Sequence, residues 1–153
     1  YDKADELRLR ANVEEFALAT QQAGKQWLLL DLTNAFPEWM AAQEYRDAYF
    51  RRPSRLAGYQ TSELSEFVAD LTTQLKARIA TDAGPDTVVA LMGVGTLFGL
   101  ARVSSVVEGI KEAVEGGFLV CFPGEHHPEN HTYRLLDARD GWNYLAVPLL
   151  AQD

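Results

Sequence analysis

The residues best suited to chemistry cluster at three places along the chain. All three histidines fall within Glu125-His126-His127-Pro128-Glu129-Asn130-His131, beside two carboxylates. Neutral imidazoles and carboxylates suit zinc or another divalent cation. The spacing matches no helical H-E-x-x-H pattern, and Pro128 breaks regular helix, so the stretch reads as a polar loop and no metal ligand is assigned. The second place is Gly93-Val94-Gly95-Thr96-Leu97-Phe98-Gly99, whose G-x-G-x-x-x-G spacing is one residue longer than the dinucleotide fingerprint. No G-x-x-x-x-G-K-[ST] run exists to cradle phosphates on backbone donors and a lysine. These glycines read as a tight turn after a buried strand, and no cofactor is expected. The third place interleaves Arg46, Arg51, Arg52 and Arg55 with Tyr45, Tyr49, Phe50 and Tyr59. Arginine and tyrosine are favoured anchors of protein interfaces, so this cluster is a candidate partner-binding surface, against the plainer reading of a solvated helix end.

Nucleophilic catalysis finds less support. There is no G-x-S-x-G elbow; Cys121 lies in an apolar run where a thiol is ordinary packing, and Ser104 and Ser105 read as helix caps.

The elements that must position these residues follow from composition and periodicity. The chain has 153 residues, 47% of them apolar and 24% charged, which fits one globular domain over 1–153. Fourteen Lys and Arg against twenty-two Asp and Glu give a formal charge of −8, which disfavours direct nucleic-acid binding. No apolar run is long enough to span a bilayer, and the start does not read as a signal peptide. A single cysteine forms no internal disulfide, so a reducing, cytoplasmic setting is expected.

A helix is expected over 2–23, with Leu9, Val13, Phe16, Thr20 and Ala23 on one stripe. Short apolar strands are expected near 27–32, 88–92 and 118–122, and further short strands near 132–136 and 144–148. A helix over 36–51 and a loop to about residue 60 precede the cleanest helix, which opens at Ser62. Leu64, Val68, Leu71, Leu75 and Ile79 line one of its faces. Ser105-Val106-Val107-Glu108 matches a capping box and places another helix start near Ser105. Strand and helix alternating at this spacing predict an α/β fold: a three-layer sandwich with a mainly parallel central sheet, helices on both faces, and short C-terminal strands. An opening helix usually follows a strand, so a first strand upstream of Tyr1 is expected. In such sheets ligands and partners meet the loops beyond the carboxyl ends of the strands, here 31–36, 93–102 and 123–131.

The second half of the chain also resembles a known family. Val88-Val89-Ala90-Leu91-Met92-Gly93-Val94-Gly95, continuing through Phe98 and Arg102, is similar to a block of the BrxB family, small components of bacterial BREX phage-defence systems. Phe118-Leu119-Val120-Cys121-Phe122-Pro123-Gly124-Glu125 resembles that family's strand and Pro-Gly-Glu turn. Tyr133-Arg134 and Asn143-Tyr144 resemble its closing segment. The likeness covers about residues 88–148; in the first half only the element order agrees. Where the family commonly continues Pro-Gly-Glu with Tyr, this chain has His126. The resemblance implies a non-catalytic accessory protein that binds a PglZ-type alkaline-phosphatase-like component and other BREX proteins, with no family active site to carry over. Phe98, Arg102 and Glu125 join Arg46, Tyr49, Arg51, Arg52 and Arg55 as expected partner contacts. Gly93, Gly95, Pro123, Gly124, Tyr133, Arg134, Asn143 and Tyr144 are the motif-matching positions. The alternative is a small metal- or phosphate-handling α/β enzyme using Asp31, Arg102, Glu125 and the histidine segment.

Overall fold

A computed structural model describes residues 1–44, 46–51, 63–129, 132–136, 142–143 and 146–149. Three strands, β1 (Gln26–Asp31), β2 (Thr87–Met92) and β3 (Gly117–Val120), pair in parallel in the order β1-β2-β3. The expected α/β class with a parallel sheet is what the chain adopts. Each strand is six residues or fewer and lacks strict alternation, because both faces carry apolar side chains.

The two faces differ in how well they are covered. Leu28 and Leu30 of β1 and Val89 and Leu91 of β2 point into the main core. Above them lies α5 (Glu63–Asp82), which contributes Phe67, Leu71, Leu75 and Ile79. Beside it lies α6 (Val103–Ile110), which contributes Val103, Val106, Val107 and Ile110. The opposite face carries Trp27, Leu29 and Asp31 of β1 with Ala90 and Met92 of β2. Two opening helices, α1 (Glu6–Ala11) and α2 (Val13–Gln22), approach from this side: α2 packs on β1, and Arg10 of α1 reaches Asp31.

The expected single opening helix is broken at Asn12. Its side-chain amide donates to the Arg8 carbonyl (2.7 Å), and its backbone leaves the helical region. This break re-aims the second segment. Val13, Ala17 and Thr20 are half-buried, and Phe16, expected on the inner stripe, is 44% exposed. The helix expected over 36–51 is likewise two, α3 (Ala35–Ala42) and α4 (Arg46–Arg51), since Gln43 turns to extended backbone. The α6 helix begins at Val103, two residues before the capping box, with Arg102 at its cap and no side-chain cap bond. Packing of Val103 on the core outweighs the local cap signal.

Beyond β3 the chain forms a second, antiparallel sheet of β4 (Gly124–His127), β5 (Thr132–Leu135) and β6 (Trp142–Asn143). Part of the expected histidine loop is therefore a strand: His126 lies opposite Tyr133 and His127 opposite Thr132. Of the strand expected near 144–148, residues 146–148 have no regular structure. The loop expected after α4, residues 137–141 and Tyr144 lie outside the described residues.

Candidate functional site at the carboxyl ends of the parallel strands

Asp31 closes β1, and both of its carboxylate oxygens have partners. Its Oδ1 accepts from the Thr33 amide (2.9 Å) and the Thr33 hydroxyl, while Oδ2 lies 3.4 Å from Nη1 of Arg10. The Arg10 guanidinium spreads further, donating through Nη2 to Thr33 Oγ1 (2.8 Å) and through Nε to Glu6 (2.7 Å). Glu6 accepts in turn from the Tyr1 hydroxyl. The Tyr1 backbone brackets the exit of β3. Its backbone nitrogen donates to the Phe122 carbonyl (2.9 Å), and its carbonyl accepts from the Gly124 amide (2.9 Å). A polar chain thus runs from the end of β1, through the opening helix, to the joint between the two sheets.

This network sets the ionisation of its members. Burial, reinforced by the bond to Glu6, pushes the Tyr1 phenol well above its ordinary range. Burial pushes Asp31 up, but the Thr33 and Arg10 donors outweigh it and hold the carboxyl below the usual aspartate value. A depressed carboxyl adds stability that is present above its unfolded value and lost as pH falls through its folded one. Asp31→Asn should therefore be less stable than the parent near neutrality, with the gap closing below about pH 4. The carboxylate is partly exposed, so solvent screening keeps the gap small. Urea titrations of both proteins from pH 2.5 to 7 check this; a gap that stays constant with pH contradicts it.

The exit of β2 locks onto this turn. Gly93 sits in the left-handed region (φ 75°), and a Cβ there would lie 2.7 Å from Asp31 Oδ1 and 2.8 Å from the Thr33 amide. Thr96 in the following 3-10 turn donates to the Leu32 and Gly93 carbonyls. Gly95 then meets Pro123: a Cβ at Gly95 would stand 3.2 Å from the proline ring. Gly124 follows, so close to the Arg134 carbonyl of β5 that no side chain fits between them. The glycines expected to permit sharp exits permit close approach as well, and they bring the three strand ends together.

The other expected residues surround this centre without converging on one point. Phe98 is 48% exposed just past the 3-10 turn. Arg102 is exposed ahead of α6, and Glu125 is exposed on β4. Among the described residues no hydrogen bond or ion pair joins Asp31, Arg102 and Glu125. The Glu125 carboxylate instead lies 3.7 Å from His127, whose other ring nitrogen is 3.2 Å from Glu129. Arg134 stands opposite Glu125 in the hairpin register. Tyr133 packs its ring on Phe122 and His126, and its hydroxyl donates to the Ala146 carbonyl (3.0 Å). Asn143 lies in β6 opposite Thr132. No group of three or more His, Cys, Asp or Glu among the described residues is arranged to hold a metal ion.

Of the arginine-aromatic cluster, Arg46 and Arg51 are exposed at the two ends of α4, and Tyr49 belongs to the same helix. Arg46 donates to the Ala41 carbonyl (2.9 Å). Arg52 and Arg55 lie outside the described residues. Cys121 is half-buried just beyond β3, and burial pushes its thiol up, which suits packing better than nucleophilic attack.

Sequence reasoning named Asp31 but missed Tyr1, Glu6, Arg10 and Thr33. Arg10 and Glu6 are one helical turn apart, a spacing so common on solvated helices that it carries no signal of its own. Taken together, these features define an α/β domain whose parallel sheet ends in a glycine-lined, charge-latched rim joined to a small antiparallel sheet. No family model, curated protein or solved structure matches the chain. No helix among the described residues is long and apolar enough to cross a membrane.

Proposed function

We propose that this chain is a non-catalytic, cytoplasmic interaction component of a bacterial BREX phage-defence system, binding a PglZ-type phosphatase-like protein. One observation carries the reading. Among the positions that bear the family resemblance, Gly93 packs against the end of β1, Gly95 against Pro123, and Gly124 against Arg134 of β5. A block of sequence that builds one rim is what a docking surface requires, and Phe98, Arg102 and Glu125 stand exposed in the same segments. The enzyme alternative gains nothing comparable, because the Asp31 carboxylate already answers to Arg10 and Thr33.

Co-expression with a tagged PglZ-type protein tests the proposal. The expected result is a complex that survives size-exclusion chromatography. Phe98→Ser combined with Glu125→Arg should weaken it at least about tenfold, roughly the loss of one interface anchor. Failure to form any complex, or a complex indifferent to these changes, overturns the assignment.

A further inference from the structure

We propose that the free edge of β1 is a docking groove for an extended, basic polypeptide segment of a partner protein, added as a fourth strand. The inference rests on the reading of the chain as an interaction module but concerns the outer side of β1, which meets the rim at Asp31 and Thr33.

Two observations define the groove. Gln26 donates its amide to Asp86 (2.8 Å) and Leu32 to Met92 (2.9 Å), so the even-numbered residues of β1 bond toward β2. By the alternation of a strand, the amides and carbonyls of Trp27, Leu29 and Asp31 are directed to the other side. Among the described residues no strand pairs there. Beside this edge is a groove of about 560 Å³, bounded by 29–35 of β1 and its exit, by α3, and by the flank of α5. Its floor therefore extends past the last strand: Leu71 and Leu75 of α5 lie under the sheet, and Asp70, Gln74 and Arg78 reach beyond it. A strand laid beside β1 would rest on a surface already built.

Charge selects the occupant. Glu38 and Asp70 line the groove as exposed carboxylates, whereas the one lining cation among the described residues, Arg78, is taken by Asp82 (2.7 Å). Asp70 accepts the Trp39 indole N–H (2.9 Å) and keeps acceptor capacity to spare. Backbone pairing provides affinity in strand addition, and the side-chain pockets provide choice. A segment with lysine or arginine on alternate positions fits this lining. A second copy of the chain does not, because two acidic edges on molecules of charge −8 repel.

The probe is a fluorescein-labelled decapeptide of alternating valine and lysine, with a valine–glutamate peptide as control. The proposal expects saturable binding of the lysine peptide alone. Peptide at about ten times its Kd should slow hydrogen exchange of the Leu29 and Asp31 amides about tenfold. Leu29→Pro removes an outward N–H while sparing the ladder to β2, and should abolish binding. Should that variant unfold by circular dichroism, the surface pair Glu38→Lys and Asp70→Lys must reduce affinity at least tenfold instead. Equal binding of both peptides, binding without protection of these amides, or no binding overturns the groove. Association of the chain with itself through these amides overturns the choice of occupant. Because the peptide reads the edge alone, its failure leaves PglZ-type capture as a separate result, and the reverse also holds.

Discussion

Replacing Gly93 with alanine is expected to destabilise the fold by about 2–6 kcal/mol. Two costs combine at this position. A residue with a side chain held at φ 75° stores roughly 1–3 kcal/mol. The new methyl would also press on the Thr33 amide and the Asp31 carboxylate at 2.7–2.8 Å, and crowding a fixed backbone adds roughly another 1–3 kcal/mol. Gly99 separates the terms. It has nearly the same φ of 74°, but no atom lies within 4 Å of where its Cβ would be. Gly99→Ala should therefore cost only the backbone share, about 1–3 kcal/mol. Urea unfolding of the three proteins reads the comparison directly. Equal losses at the two glycines would show that the rim yields to the added methyl, and that the contact between the exits of β1 and β2 is loose.

Phe67→Ala is the second large effect, at about 3–5 kcal/mol. Phe67 is 1% exposed and sits edge-on to Phe36 at 5.2 Å and tilted to Trp39 at 5.5 Å. It joins α3 to α5, so its removal leaves a cavity that neither helix can close without losing its other contacts. Phe67→Leu should cost no more than about 1.5 kcal/mol, since most of the volume remains. Phe16→Ala, in a ring that is 44% exposed, should stay within about 0.5 kcal/mol of the parent. A Phe67→Ala loss below about 1.5 kcal/mol would mean that the aromatic cluster packs on the surface of the core.

Period and composition made the architecture legible. Continuous apolar runs at 27–32, 88–92 and 118–122 are strands almost where expected, because strands covered on both faces need no alternation to be recognised. The stripe Leu71, Leu75 and Ile79 is buried as read, but Phe67, four residues before Leu71 on the same face, was not named with it. Leu64 and Val68 had fitted the same period, and the position of α3 decides which face α5 presents. Asn12 was silent in sequence, since its side chain breaks the opening helix through a bond to the Arg8 carbonyl that composition does not encode. At the candidate site, the glycines and Asp31 were visible as types of residue. The latch from Tyr1 through Arg10 was not, because it joins side chains more than twenty residues apart along the chain and depends on where α1 comes to rest.

The sequential order of the parallel strands bears on how the polypeptide is assembled during synthesis. Each crossover lays its strand on the outer flank of the one before, and none must be threaded between two already in place. A nascent chain can dock β2 on β1 while β3 is still within the ribosome, and the local β4–β5 hairpin forms last from neighbouring residues. Among the described strands of that sheet, growth in one direction leaves the outer side of β1 uncovered by those laid down after it.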